Sequence, residues 1–201
     1  LKYNLDFLKY AKKPEILDCV KQVIGPNLAI WNQSFFAKPG INGKATPWHQ
    51  DGEYWPIRPL ATCTVWLAVD DSNEENGCLK YIPGSHKRKA TRKHNTNNDI
   101  NYTLNQEIDP SEYDEKDAFN LCLEAGQMAL HDVFIIHGSG TNTSPHSRRG
   151  MTMRYMPTSS TFDRQLAEDH AEKFKLDHQH RTLFLMGGKD ESGTNDFIIR
   201  S

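Results

Sequence analysis

A histidine and an aspartate two residues apart, His49-Gln50-Asp51, and a second histidine far downstream, His137, are the residues of this chain best suited to hold a metal. Two imidazoles and one carboxylate are the donors of the 2-His-1-carboxylate triad. That triad caps one face of an octahedral iron(II) and leaves the other face open. The donor set suits Fe(II), although zinc accepts the same three ligands. Arg148 follows His137 with a planar guanidinium able to grip a carboxylate through two parallel hydrogen bonds. Together the four positions point to an iron-dependent oxygenase. Hydrolase chemistry has no comparable signal. There is no G-x-S-x-G elbow, and Gly138-x-Gly140 lacks the helix and lysine of a phosphate loop.

The elements must bring these side chains together. In an extended chain residues i and i+2 share a face, so His49 and Asp51 can turn to one ion while Gln50 points away. Apolar spacing predicts helices over 4–12 and 14–24, with Pro14 at a start and Gly25 at a stop. From Leu28 onward the texture changes to short apolar runs between turns. Strands are predicted over 28–37, 46–50, 61–69, 78–82, 118–123, 127–136 and 150–156. Many short strands after a helical start indicate a mainly β sandwich or jelly roll, with the helices packed outside. His137 would close the strand over 127–136, with Gly138-Ser139-Gly140 opening a loop. A hairpin would then return Arg148 beside the His137 strand.

At 201 residues the chain is expected to be one domain. It divides into a helical preamble over 1–25, a core over 26–157 with an insertion at 86–116, and an extension over 158–201. The polar, charged insertion reads as a surface excursion that could cover a site, and the charges of the extension read as a solvated face. A net charge of -2 gives no basis for a nucleic-acid or anionic-membrane partner. No apolar stretch approaches the roughly 18 residues of a spanning helix. The chain begins at Leu1 with no basic-then-apolar leader, which predicts a cytoplasmic protein and a segment preceding Leu1. Four cysteines at unrelated spacings read as reduced thiols rather than a zinc site.

Several sequence blocks resemble the phytanoyl-CoA dioxygenase family. They are Trp48-His49-Gln50-Asp51-Gly52-Glu53 with Tyr54-Trp55-Pro56, then Trp66-Leu67-Ala68-Val69-Asp70-Asp71. Asn76-Gly77-Cys78-Leu79, Pro83-Gly84-Ser85-His86 and His137-Gly138-Ser139-Gly140-Thr141-Asn142 through Arg148 follow in order. The resemblance covers residues 25 to 157. It implies a double-stranded β-helix, a cupin-like jelly-roll barrel, with Fe(II) as metal and 2-oxoglutarate and O2 as co-substrates. His49, Asp51 and His137 would then be the iron ligands, and Arg148 would pair with the distal carboxylate of 2-oxoglutarate. Trp66 and Thr64 would line the co-substrate pocket, and Ser139 could add a hydroxyl there. Related halogenases have a small residue at the Asp51 position, so the resemblance implies hydroxylation of a small metabolite or acyl group, with release of succinate and CO2. A zinc hydrolase or a non-catalytic binding module on the same fold are the alternatives. The sequence leaves the substrate and the oligomeric state open.

The remaining candidates have plainer readings. His131 lies mid-strand beside Asp132 and reads as structural, and His146 as a loop residue at the surface. His86 would satisfy turn carbonyls, although the resemblance places its loop near the site. His94, His170, His178 and His180 read as solvent-facing, and Lys38 and Arg58 as solvated cations beside turns. Trp48, Tyr54 and Trp55 divide between core packing and a substrate pocket.

Overall fold

A computed structural model describes residues 4–174 and 176–199. After a short 3-10 turn come two helices, α1 (Leu8–Ala11) and α2 (Pro14–Ile24). The chain then enters β1 (Leu28–Lys38), β2 (Thr46–His49), β3 (Ile57–Arg58), β4 (Cys63–Ala68) and β5 (Leu79–Tyr81). The segment predicted as an insertion contributes a small hairpin, β6 (His94–Thr96) and β7 (Gln106–Ile108). Next are β8 (Phe119–Leu121), β9 (Met128–Asp132), β10 (His137–Ser139) and β11 (Arg148–Pro157). The last elements are β12 (Thr161–Phe162), α3 (Arg164–Phe174) and β13 (Phe184–Gly187). No helix among the described residues is long and apolar enough to cross a membrane.

Two antiparallel sheets carry the architecture. One has the order β13-β1-β11-β4-β9 and the other β2-β10-β5-β8. The chain passes from one sheet to the other between β1 and β2, β4 and β5, β8 and β9, β9 and β10, and β10 and β11. Two antiparallel sheets joined by such crossings make the fold mainly β, as expected.

The large sheet is buried on both faces, which explains its nearly continuous burial along β4 and β11. Its outer face carries Cys63, Val65, Met151, Met153 and Tyr155. These pack under Leu8, Ala11, Ile16 and Val20 of the two helices. The Tyr155 hydroxyl donates to the Ala11 carbonyl at 2.9 Å, fixing α1 to the sheet. The alternate residues Thr64, Trp66, Arg148, Thr152 and Arg154 face a cavity between the sheets.

Strand β1 uses a bulge to serve both faces. Its register against β11 runs Ile30 to Tyr155 and then Asn32 to Arg154, so Trp31 is the extra residue. The extra residue inverts the alternation. Before it Leu28 and Ile30 lie under the helices, and after it Asn32, Ser34, Phe36 and Lys38 line the cavity.

Four expectations are corrected. Strand β9 stops at Asp132, and residues 133–136 form a turn and coil that carries the chain across to the other sheet. Their backbone groups pair with side chains from distant segments instead: the Phe134 carbonyl accepts from Gln50 Nε2, and Ile136 N donates to Ser85 Oγ. His137 therefore opens a strand rather than closing one, and Gly138 and Ser139 belong to that strand. Arg148 does not return beside it, because β10 and β11 lie in different sheets. The extension also does more than solvate a face: Ala167, Phe174 and Leu183 pack in a core with Trp31, Trp55 and Phe162.

Gly150 shows how tightly the inner face is packed. A Cβ there would fall 2.2 Å from the Trp66 ring. Trp66 lies across β11 only because that position has no side chain. Gly150→Ala is expected to displace the indole and destabilise the fold by about 1–3 kcal/mol, read as a lower urea midpoint at unchanged m-value. An unchanged midpoint would mean that the ring moves without cost.

Candidate metal and co-substrate site

The metal triad is assembled by register. On β10 His137 pairs directly with His49 of β2, so the two imidazoles stand side by side with ring centroids 4.1 Å apart. Asp51 follows through one extended residue, Gln50, and begins a 3-10 turn. One donor atom from each of His49, Asp51 and His137 falls within 4.8 Å of the others, and all three residues are buried. Each histidine sets its Nδ1 against a backbone carbonyl, His49 on Pro47 at 2.9 Å and His137 on Ile135 at 3.1 Å. That contact fixes the tautomer and leaves the Nε2 lone pair for an ion. Gln50 points away as expected and is fully buried. Its amide joins the Phe134 and Ala90 carbonyls to the amide N–H of Arg92, clamping both segments behind the triad.

His131 needs reassignment. It is mid-strand, but β9 pairs it with Thr64 on the cavity face. Its Nε2 stands 3.5 Å from Asp51 Oδ2, and its Nδ1 is 2.9 Å from the Tyr81 hydroxyl. It is thus the neighbour that orients the Asp51 carboxylate. Burial alone would raise the Asp51 carboxyl, but His131, His137 and Arg154 outweigh it and hold the group below the usual range.

The other end of the cavity is cationic. Lys38 and Arg148 are opposite each other on β1 and β11, and both are buried. One Arg148 nitrogen, Nη2, donates to the Gly77 carbonyl at 2.6 Å, and its guanidinium carbon lies 5.4 Å from the Trp66 ring centre. Its Nε has no partner. Lys38 was expected in solvent. Instead its ammonium donates to the carbonyls of Lys44 and Gly140, and burial followed by the charge of Arg148 lowers its pKa to about 7. Trp66, Thr64 and Ser139 all line the cavity, as expected.

Other residues were misjudged because their neighbours come from distant strands. His178 is buried, edges onto Trp31 at 5.6 Å and lines the cavity. The His94 side chain is 1% exposed, and its Nε2 accepts from the Gln50 amide. The His170 ring nitrogen Nδ1 sits 2.9 Å from the Tyr54 carbonyl. His146 and His180 are exposed, as expected, and Arg58 is exposed too. Trp48 packs in a core with Ile82, Ile108 and Ile136, while Tyr54 and Trp55 belong both to the core and to the cavity wall. Arg154 was not singled out at all, since nothing in Met153-Arg154-Tyr155 marks a cation that turns inward.

The site residues fit a divalent ion with a dianionic ligand. The donors are two neutral imidazoles and a carboxylate. Unpartnered buried polar atoms line the same space: Tyr54 Oη, Thr64 Oγ1 and Arg148 Nε.

Comparison with known proteins agrees with this geometry. A family model described as Phytanoyl-CoA dioxygenase (PhyH) matches residues 2–150. A Dictyostelium discoideum protein named phytanoyl-CoA dioxygenase domain-containing protein 1 homolog is 30% identical over 155 residues, spanning 76% of this chain and 55% of that one. The Homo sapiens peroxisomal phytanoyl-CoA dioxygenase is 31% identical over 159 residues, 75% of this chain and 46% of that one. The chain thus spans about half the length of the curated relatives it matches. Among solved structures, the non-heme monooxygenase ThoJ superposes with a TM-score of 0.73 at 25% identity, covering 95% of this chain and 64% of ThoJ. EvdO2 from Micromonospora carbonacea, solved with 2-oxoglutarate, shares the fold with a TM-score of 0.63 at 24% identity, covering 76% of this chain and 64% of EvdO2.

Buried neutral histidines give the metal-free protein a pH signature. Burial is the main cause that lowers the pKa of His49, His137 and His178, the last to about 3. The unfolded chain takes up these protons near the ordinary value of 6.5, but the folded chain does so only at lower pH. Stability is therefore undiminished above about pH 6.5 and falls as pH drops below it. Urea melts between pH 7 and 5 should show a decline of about 1.4 kcal/mol per pH unit for each histidine that stays neutral. A flat profile would mean that these rings are protonated in the folded state.

Proposed function

This chain belongs to the phytanoyl-CoA dioxygenase family, and on that premise we propose that it is an Fe(II)- and 2-oxoglutarate-dependent dioxygenase that hydroxylates a small metabolite or an acyl group. The observation that carries the reading is the pairing of the His49-Asp51-His137 triad with a buried Arg148 in one cavity. A zinc hydrolase needs the triad but has no use for a buried anchor suited to a keto acid. Residues 26–157 would form the catalytic core of one domain, with 86–116 and 158–201 completing the pocket wall.

His49 Nε2, His137 Nε2 and one Asp51 oxygen would hold the iron. Bound there, iron and 2-oxoglutarate supply the oxidising chemistry, with one oxygen atom of O2 leaving in succinate, CO2 released and the other oxygen placed on substrate. The protein's own residues position and exclude. Arg148 would take the distal carboxylate through its unpartnered Nε side, with Lys38 adding a second positive charge and Ser139 a hydroxyl. Trp66 stacks beneath the guanidinium and sets its plane, and Thr64 lies on the same strand face. His131, held by Tyr81, keeps Asp51 ionised and aimed at the metal. Tyr54, Trp55 and Leu104 wall the space and keep out bulk water.

Anaerobic addition of Fe(II) and then 2-oxoglutarate should produce the weak visible charge-transfer band of a chelated keto acid. Zinc in its place would give none. Asp51→Ala is expected to abolish succinate release. Arg148→Ala should raise the KM for 2-oxoglutarate about ten- to a hundredfold, the loss expected for a charge-assisted pair. Full turnover by the Asp51→Ala protein would refute the ligand assignment.

A further inference from the structure

The cavity contains one more cation than the metal and co-substrate need. Arg154 sits on the inner face of β11, between Asn32 of β1 and Thr64 of β4. It is 8% exposed and lines the cavity. Its Nε has no hydrogen-bond partner, and the carboxylate whose charge reaches it is Asp51. Two aromatic faces hold it in place: its guanidinium carbon lies 5.3 Å from the Trp55 ring centre and 5.5 Å from that of Phe36. Stacking of this kind fixes the plane of the fork while leaving its N–H edge open for a ligand.

Resting on the dioxygenase reading above, we infer that the primary substrate is a small organic acid whose carboxylate pairs with Arg154. Three observations argue for this. First, charge: the cavity lining carries Lys38, Arg148 and Arg154 against a single carboxylate, Asp51. A divalent ion and a dianionic co-substrate cancel each other, so they leave that excess standing. Second, distance: Arg148 and Arg154 are six residues apart on one strand, or about 20 Å at the extended rise. Arg154 is therefore not a second grip on the carboxylate that Arg148 takes. Third, chemistry: a neutral acyl chain laid against Arg154 would bury a guanidinium whose one opposing charge, Asp51, is committed to the metal. An ionised acid gives it a bidentate partner. The cavity volume of about 320 Å³ is at the small end for ligand pockets and suits a compact acid beside the co-substrate. Of the two substrate types, the structure favours the acidic metabolite over the acyl thioester.

The experiment uses the chain loaded with Fe(II) and 2-oxoglutarate without oxygen. The probes are hexanoate, hexylphosphonate and hexanamide, together with hexanoyl-CoA as the thioester. Binding beside the iron is read as a shift of the visible band, and turnover in air as probe-stimulated succinate release. Hexanoate and hexylphosphonate are expected to give both responses, and hexanamide neither. Arg154→Met should weaken the hexanoate response at least tenfold while the band still forms at the wild-type 2-oxoglutarate concentration, which also shows that the variant is folded. Arg154→Lys should restore part of the response. A band that forms but answers equally to amide and acid, or best to the thioester, overturns the inference alone. So does an Arg154→Met protein whose defect is in 2-oxoglutarate affinity, since Arg154 would then serve the co-substrate. Absence of any band in the wild type sinks the dioxygenase reading and takes this inference with it.

Discussion

The cross-strand pairing of His137 with His49 is the contact on which the rest of the site depends. Because β2 and β10 are antiparallel and these two residues are opposite each other, the imidazoles meet at 4.1 Å between ring centres. A slip of one residue would turn one of them out of the cavity, since side chains alternate along a strand. The register is held on both sides. β5 pairs with the far edge of β10, bringing Tyr81 opposite His137, and Gln50 locks the segment that leads into β10. The metal site is therefore a by-product of sheet register rather than of any local motif, and its precision is that of the hydrogen-bonded ladder.

The large sheet divides its labour between its two faces. Its outer side is an ordinary apolar layer under α1 and α2, and this layer stabilises the fold. Its inner side carries Asn32, Lys38, Thr64, Arg148, Thr152 and Arg154, a polar surface that would be a poor core. Buried cations without acids destabilise a folded chain unless something compensates them. Aromatic faces do part of this: Trp66 under Arg148, and Trp55 and Phe36 around Arg154. The rest of the compensation is left to whatever anions the cavity receives. Such a face has exchanged some stability for binding, as polar groups at functional sites commonly do.

What the sequence disclosed and what it hid follow from the range of the interactions. The convergence of His49, Asp51 and His137 and the mainly β texture were legible because residue types and their order carry them. So were the two N-terminal helices, whose spacing is local. The end of β9 was not legible. Val133-Phe134-Ile135-Ile136 has the apolar character of a strand, yet its backbone is satisfied by Gln50, Gly52 and Ser85. A bulge at Trp31 likewise leaves no mark in composition, but it decides which half of β1 faces the cavity. His131, Lys38, Arg154 and His178 escaped for a related reason. Each looks like a solvated or structural residue beside its chain neighbours. Each gains its role from strands dozens of residues away.

Lys38 shows how those distant contacts tie the site to the frame around it. Among the described residues its ammonium has no partner acid. It donates to the carbonyls of Lys44 and Gly140, joining the loop after β1 to the loop after β10. Asn142 strengthens the same junction through the carbonyls of Lys38 and His146. Next to it Arg148 adds a like charge, and burial with that charge brings Lys38 to the edge of deprotonation near neutral pH. The repulsion between the two cations and the hydrogen bonds that close the loops thus oppose each other at one point. An anion placed between them relieves the repulsion and leaves the hydrogen bonds intact. An anion bound at the Arg148 end would for that reason also tighten the two loops, as any ligand that binds only the folded state stabilises it.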